Sequence, residues 1–177
     1  FVLEGIRLTR AALPDDIALI GFVGAPLTIA GYMIEGTPTR NWSELKRMVF
    51  GDHKTLAALL IQITDFSAEY ALAQIEAGCD AIQIFDTTAG ELPAQDINRV
   101  AFCYAEQVIS QLKNRNDAPV IYFARNIGAQ LYLAADLGAD VLGIDWTIDL
   151  VEARRVVGRN IALMGNLDPA VLLCSKD

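Results

Sequence analysis

The feature that most constrains the fold of this chain is a series of short, almost continuously apolar runs. Five runs can be delimited, at positions 18–24, 80–86, 119–124, 140–145 and 161–166. Strands of a parallel sheet that are buried on both faces have this character, whereas half-exposed strands alternate apolar and polar residues. The runs therefore predict five strands of a parallel sheet.

The segments between the runs are typical of helices, and the clearest extends from about Lys54 to Ala77. Its large side chains recur at the three- and four-residue spacing of one helical face, which comprises Leu56, Leu59, Leu60, Ile63, Phe66, Tyr70 and Ala77. Gly78 then fits the left-handed residue that ends a helix. Further helices are predicted at 94–112, 127–137 and 150–157, and another begins the chain.

These strand–helix units repeat at a regular interval. The last three predicted strands begin at 119, 140 and 161, which are 21 residues apart. Repeats of this kind form an open doubly wound sheet or a (β/α)8 barrel. Because no glycine-rich dinucleotide motif follows any of the strands, the barrel is favoured. We therefore predict an α/β fold, a partial TIM-type (β/α)8 barrel with about five of its eight strand–helix units present.

The two ends of the sequence predict that this barrel is incomplete. Phe1 is not an initiator methionine, and the sequence stops nine residues after Asp168, where an Asp-Pro pair indicates the start of a helix. A complete barrel needs eight units and roughly 250 residues. We expect residues 1–177 to form a single incomplete barrel domain within a longer polypeptide.

Composition restricts the class of function. The chain is 53% apolar, which suffices for a large core, and its net charge of −8 argues against the basic face that nucleic acid or an anionic membrane requires. Cys79, Cys103 and Cys174 lie among apolar residues, which favours buried thiols in a reducing compartment over disulfides. No uninterrupted apolar run approaches the roughly 18 residues of a membrane span. We expect a soluble, cytoplasmic protein without nucleic-acid or membrane partners.

Polar side chains follow several of the predicted strands, and in parallel α/β folds the site lies at these carboxyl ends. The polar groups are Asp86, Thr87 and Thr88; Arg125 and Asn126; Asp145 and Thr147; and Asn166 with Asp168. The first strand instead leads into a helix that starts at Pro26, and the free amides of that helix would face the same end and could hold an anion. Tyr32 lies about two turns further along.

Each of these residues also has a structural interpretation. Asp168 is most simply an N-cap, Asp145 can cap a helix or tie loops together, and Thr87 can cap the loop after its strand. By spacing alone Tyr32 fits a helical core position, and Arg125 fits a surface position equally well.

The sequence contains none of the common metal-binding patterns. The lone His53 follows Gly51-Asp52 and is interpreted as a loop or cap residue. No HxC, CxxC or HExxH spacing occurs, so no metal site is expected. The sequence also lacks a phosphate-binding P-loop and the GxSxG motif of hydrolases.

Four motifs give the chain a specific resemblance to a known family. The motifs "LIGFVGAPLTIAGYMIEG", "QIFDTTAG", "GADVLGIDWTIDL" and "MGNLDPAVLL" occur in the order found in uroporphyrinogen decarboxylase, which the chain resembles from about 19 to 173. The resemblance implies a (β/α)8 barrel enzyme, usually a homodimer. Such enzymes convert uroporphyrinogen III to coproporphyrinogen III by releasing the carboxyl groups of four acetate side chains as carbon dioxide. No metal or other cofactor is implied.

The resemblance also implies roles for individual residues. Tyr32 would hydrogen-bond the substrate near the reacting acetate, Thr87 would contact a substrate carboxylate, and Phe85 would pack against the macrocycle. Arg125 is proposed as a further carboxylate partner because it lies at a strand end. Asp86 is expected to point away and tie down a loop, because it would repel a substrate carboxylate.

The chain departs from the family pattern at two positions. Thr88 stands where Trp or His is usual, and Leu27 stands where an aromatic residue is frequent. Both changes are expected to thin the aromatic wall of the pocket. The paired arginines, the aspartate that binds the pyrrole nitrogens and the late histidine of the family lie outside these 177 residues, so the piece alone is expected to be inactive.

Two other functions remain open at this point. One is a zinc-dependent corrinoid or thiol methyltransferase, since such enzymes share the barrel. The other is a non-catalytic tetrapyrrole-binding domain, which only the departures at Thr88 and Leu27 favour.

Overall fold

The computed structural model describes residues 1–37, 39 and 41–174, in which five parallel strands form one sheet. The strands are β1 (Ile20–Gly24), β2 (Ala81–Asp86), β3 (Val120–Ala124), β4 (Val141–Gly143) and β5 (Ala162–Met164). They lie side by side in their order along the chain, and every neighbouring pair is parallel. Each strand lies within one of the five apolar runs, so the predicted α/β fold is confirmed.

Eight α-helices connect or flank these strands in the described residues. They are α1 (Val2–Ala12), α2 (Pro26–Glu35), α3 (Ser43–Gly51), α4 (His53–Glu76), α5 (Ala94–Ile97), α6 (Cys103–Lys113), α7 (Leu131–Ala135) and α8 (Leu150–Val157). The predicted helix at 150–157 is confirmed residue for residue, because the Asp149 side chain caps its first turn and Gly158 follows its last residue.

Two helix predictions need correction, and one helix was not predicted. The helix predicted at 94–112 includes a π-helical segment, Asn98–Phe102, between α5 and α6. The helix predicted at 127–137 is only a 3₁₀ turn, Gly128–Gln130, followed by the five residues of α7, because Asn126 is left-handed and glycine disfavours the first turn. Helix α3 was not predicted, since only Leu45 and Val49 are buried on it.

Helix α4 is long and apolar enough to cross a membrane, judged by length and composition within the described part of the chain. In the fold it packs against β1, α2 and α6, and it buries Leu56, Leu60 and Ile63. The predicted apolar face is wrong at Phe66, which is 67% exposed and stacks on Tyr70 instead.

The helices cover one face of the sheet and leave the other face open. Because successive strand residues point to opposite faces, Ile82, Ile84 and Tyr122 are buried beneath the helices, while Phe22 and Phe85 lie on the open face. One row crosses the open face in register, and its members are Gly24, Phe85, Phe123, Gly143 and Met164.

The cysteines are free thiols, but only one of them is buried. Cys79 is buried, Cys103 is half-buried and Cys174 is exposed. The prediction of three buried thiols is therefore wrong for Cys174, which follows the 3₁₀ turn Pro169–Leu173 at the surface, and is only partly correct for Cys103. Burial raises the pKa of both the Cys79 and the Cys103 thiols, which disfavours the reactive thiolate form.

Candidate active site

A cavity of about 350 Å³ lies at the carboxyl ends of β2 and β3. Its walls are formed by Tyr32, Thr39, Trp42, Thr87 and Arg125. Three of the four residues proposed from the sequence, Tyr32, Thr87 and Arg125, therefore come together, although up to 93 residues separate them along the chain. The parallel strand order brings them together, because it places consecutive strand ends at one edge.

Tyr32 lies on α2 and is 50% exposed, so the interpretation as a core residue is wrong. The neighbouring residues Ala30 and Gly31 are buried against the core, and the helical turn carries Tyr32 to the cavity side. Its ring packs edge-on against Trp42, with ring centroids 5.4 Å apart and an interplanar angle of 74°. Edge-to-face packing is a preferred geometry of aromatic pairs.

Asp86, the last residue of β2, is fully buried and is held by three donors. Its carboxylate accepts hydrogen bonds from the Thr28 hydroxyl at 3.0 Å, the Tyr122 hydroxyl at 3.0 Å and the Ala89 N–H at 3.1 Å. Burial raises the pKa of Asp86, although these hydrogen bonds oppose the shift. The expectation that Asp86 points away from the cavity and ties down a loop is confirmed.

The anchored Asp86 determines where Thr87 points. The alternation of β2 continues beyond the strand, with Asp86 and Thr88 buried and Thr87 partly exposed in the cavity wall. The following Gly90 fits closely against the next loop, because a Cβ there would lie 2.1 Å from the carbonyl oxygen of Arg125. The loops after β2 and β3 are thus packed backbone to backbone beside the cavity.

Arg125 lines the cavity from the end of β3, but its charge is already paired. Its Nη2 donates a 3.0 Å hydrogen bond to Oε1 of Glu91, which belongs to the 3₁₀ turn Ala89–Glu91. The Arg125 side chain is partly exposed, at 42%. A guanidinium has five N–H donors, so the ion pair orients Arg125 and leaves donors for a second anion.

A second buried carboxylate connects the neighbouring loops. Asp145, just after β4, accepts hydrogen bonds from the Asn126 N–H at 2.6 Å and the Thr147 N–H at 2.9 Å. Burial by itself raises the pKa of Asp145, but these hydrogen bonds outweigh it and hold the pKa below the usual value. The loop-tying interpretation of Asp145 is therefore confirmed. Asn166 extends the network, since its amide donates to the carbonyl oxygens of Asp145 and Ile148.

The cap prediction for Asp168 agrees with the structure, whereas the prediction of His53 as a loop or cap residue is wrong, because Asp52 is the cap and His53 already belongs to α4. Asp168 is an N-cap, and its carboxylate accepts from the Ala170 N–H at 2.9 Å. His53 is the first residue of α4 and follows the N-cap Asp52. Within residues 1–37, 39 and 41–174, no three His, Cys, Asp or Glu side chains are grouped so that they could hold a metal ion.

The two departures from the family pattern do not act as the sequence suggested. Thr88 and Leu27 are both 0% exposed and belong to the core rather than to the cavity wall. The expectation that they thin an aromatic wall is wrong, because the strand and helix geometry directs both side chains inward. The aromatic wall is supplied instead by Tyr32 and by Trp42, which the sequence analysis missed. A single tryptophan between the polar residues Asn41 and Ser43 was the available signal.

Comparison with known proteins places this chain in a family. The model of the family described as uroporphyrinogen decarboxylase (URO-D) matches residues 1–177. The chain belongs to the uroporphyrinogen decarboxylase family. Over its whole length it is 42% identical to the uroporphyrinogen decarboxylase of Geobacter sulfurreducens and 41% identical to that of Legionella pneumophila, and it covers 52% and 51% of them respectively. The chain thus spans about half the length of the curated relatives it matches.

A solved structure supports the fold. The methyltransferase from Methanosarcina mazei superposes with a TM-score of 0.81 at 24% sequence identity, covering 94% of this chain and 48% of that one. The likeness shows a shared fold. The family match and this superposition agree with the sequential parallel strands of a partial (β/α)8 barrel.

Proposed function

We propose that the whole protein is a uroporphyrinogen decarboxylase, which converts uroporphyrinogen III to coproporphyrinogen III without a metal or prosthetic group. We further propose that residues 1–177 are one incomplete barrel domain of a cytoplasmic homodimer. The observation that carries the activity is the convergence of Tyr32, Thr87 and Arg125 on one cavity at the carboxyl edge of the sheet. Membership of the family supports the same activity.

The cavity suits a substrate that carries several carboxylates. Arg125 offers a positive charge that its pairing with Glu91 keeps oriented. The hydroxyl of Thr87 makes no hydrogen bond to any residue in the described part of the chain, so it is available to a ligand. A charged acceptor would gain most from these donors, since hydrogen bonds to ionised groups are the stronger ones.

The open face of the sheet offers a surface for the macrocycle. Phe85 packs edge-on between Phe22 and Phe123, with ring centroids 6.0 and 5.8 Å away. Phe85 lies on β2 and Thr87 follows two residues later, just past the end of the strand, so this strand end presents an apolar ring and then a hydroxyl. In this proposal the pyrrole rings lie over the phenylalanines while the carboxylates reach Thr87 and Arg125.

The proposed reaction needs no electron acceptor outside the substrate. Protonation of a pyrrole ring carbon makes the ring a cationic electron sink. The bond between the acetate methylene and its carboxyl carbon then breaks, its electron pair moves into the ring, and carbon dioxide leaves. Protonation of the methylene and loss of the ring proton give a methyl group. The Tyr32 hydroxyl would orient the reacting acetate through a hydrogen bond, which is the kind of positioning that accelerates such steps.

The alternative functions lack a supporting observation. The likeness to a methyltransferase is at 24% identity and concerns the fold alone. The binding-domain alternative depended on a thinned aromatic wall, and the burial of Thr88 and Leu27 removes that argument.

The test uses the full-length protein. It is incubated without oxygen with uroporphyrinogen III, and the products are oxidised and separated by their number of carboxyl groups. Porphyrins with seven to four carboxyls are expected, and Tyr32→Phe and Thr87→Val should reduce their formation. Tyr132→Phe is the control, since Tyr132 is exposed on α7 and does not line the cavity.

Unchanged substrate would contradict the proposal, and zinc analysis would then test the methyltransferase alternative. The purified 177-residue chain is assayed in parallel, and we expect it to form no coproporphyrinogen.

A further inference from the structure

Trp42 adopts a backbone conformation that is rare for a large side chain. Its φ and ψ are 51° and 45°, in the left-handed region that disfavours residues with a Cβ. The residue nevertheless is only 5% exposed, between the exposed residues Asn41 and Ser43. The fold therefore holds this ring in one place despite an unfavourable local conformation, which is a pattern often found at functional sites.

Gly31 leaves the space that the Trp42 ring occupies. A Cβ at Gly31 would lie 2.8 Å from Cζ3 of Trp42, closer than real Cβ atoms approach their neighbours. Glycine inside a helix is unfavourable relative to alanine, yet Gly31 lies within α2, directly before Tyr32. Two locally unfavourable features, a left-handed tryptophan and a helical glycine, thus converge on one ring position.

Helix α3, which follows Trp42, is fixed to the same helix. Oε1 of Glu35 accepts hydrogen bonds from the N–H groups of Glu44 at 2.9 Å and Leu45 at 3.1 Å. Glu35 is three residues after Tyr32 on α2, so it lies about one turn further along. Gly31 contacts the Trp42 ring, and Glu35 fixes the start of α3 just after Trp42. These two residues lie on either side of Tyr32 along α2.

This arrangement restricts the orientation of the Tyr32 side chain. Tyr32 is half exposed, and its ring contacts Trp42 edge-on at 5.4 Å while both line the cavity. An exposed tyrosine would otherwise exchange among its side-chain rotamers, and fixing it costs conformational entropy. We propose that Trp42 is a positioning residue that holds the Tyr32 hydroxyl in its reactive orientation, an inference that rests on the proposed decarboxylase function.

The test is a double-mutant cycle in the full-length protein. Trp42→Leu removes the aromatic wall, and kcat for uroporphyrinogen III should fall roughly tenfold or more, since small misplacements of a positioning group have effects of this size. In a Tyr32→Phe background the same substitution should change kcat by less than about twofold, because the group it positions is gone. Trp42→Phe, which keeps an aromatic edge, should restore most of the activity.

Phe50→Leu is the matched control. Phe50 is an exposed aromatic residue of α3 that does not line the cavity, and its substitution should leave kcat unchanged. Melting temperatures are measured for every variant, because a merely structural role of Trp42 would lower stability and kcat by the same amounts in both backgrounds. Should Trp42→Leu fail to fold, Gly31→Ala replaces it in the cycle, since the added methyl would displace the Trp42 ring.

The outcomes separate this inference from the function on which it rests. Absence of decarboxylated products from the unsubstituted full-length protein overturns the proposed function itself. An active parent in which the Trp42 and Tyr32 substitutions lower kcat independently, so that their effects multiply, overturns only the positioning role.

Discussion

The Tyr122 hydroxyl donates a 3.0 Å hydrogen bond to the Asp86 carboxylate, and both groups are fully buried. The pair joins the middle of β3 to the end of β2 beneath the helices, while the cavity lies at the other side of the same strand ends. The buried pair thus supports the loop that carries Thr87 without touching the cavity. Burial and the adjacent carboxylate hold the pKa of Tyr122 well above its usual value, so the hydroxyl remains a donor.

Tyr122→Phe should destabilise the protein by about 1–3 kcal/mol, because it leaves one oxygen of a buried carboxylate without its donor. The free energy of unfolding of the full-length protein in urea measures the effect. Tyr132→Phe removes an exposed hydroxyl and should change stability by less than about 0.5 kcal/mol. Equal stability of the two variants would show that the hydrogen bond contributes nothing.

Asp86 should make stability depend on pH in a particular direction. Burial raises its pKa in the folded protein, so above about pH 4 the unfolded chain releases a proton that the folded protein still holds. The contribution of Asp86 to stability therefore falls as the pH rises through that range. Asp86→Asn lacks this titration, so the stability of the parent relative to Asp86→Asn should decline as the pH rises above about 4. A difference that rises with pH would refute the assigned shift.

Asp145 should show the opposite dependence. Burial raises the pKa of Asp145, but the hydrogen bonds from Asn126 and Thr147 outweigh it and lower the pKa in the folded protein. Its stabilisation is therefore present above the ordinary carboxyl pKa of about 4 and is lost as the pH falls through the lower folded value. Urea unfolding of the parent and Asp145→Asn should give a difference that shrinks on acidification. A difference independent of pH would contradict this prediction.

Two adjacent threonines should respond differently to the same substitution. If the proposed function is correct, Thr87→Val removes a donor to a substrate carboxylate and raises KM about tenfold, with little effect on stability. The Thr88 hydroxyl is buried and has no hydrogen-bond partner among the described residues. Thr88→Val should therefore leave KM unchanged and increase the free energy of unfolding by about 1 kcal/mol. Kinetics and urea unfolding of both variants test this, and a similar rise in KM for both would contradict it.

The sheet could be predicted because its strands are almost continuously apolar, although one face is open in the described residues and the expected burial on both faces is not observed there. The exact agreement at α8 follows from local signals, a capping Asp149 and a terminal Gly158. Helix α7 is shorter than predicted because a 3₁₀ turn forms at Gly128–Gln130. The apolar spacing of this segment predicted a longer helix, although Gly128 disfavours a helical first turn. Local patterns therefore predict an element well where its ends are marked, and less well where a turn competes with a helix.

The site was predictable where it follows the strands and unpredictable where distant segments meet. Continuing the inward–outward alternation of β2 past Asp86 places Thr88 in the core. The sequence therefore contained the information that Thr88 does not line the pocket. The contact of Trp42 with Tyr32 depends on a left-handed backbone at a residue other than glycine, which sequence does not reveal. The pairing of Arg125 with Glu91 joins the loops of two strands and likewise arises only in the folded chain.

Gly143 leaves the space beside Phe123 on the open face, since a Cβ there would lie 3.0 Å from the phenylalanine side chain. The two residues are paired across β3 and β4, so the room available to one is set by the size of the other. A larger residue at position 143 would therefore require Phe123 to shift or to be replaced by a smaller side chain. Among relatives, a side chain larger than glycine at the position of Gly143 is expected to accompany a residue smaller than phenylalanine at the position of Phe123. The two positions would then vary together over evolutionary time, and an alignment in which they vary independently would argue against this coupling.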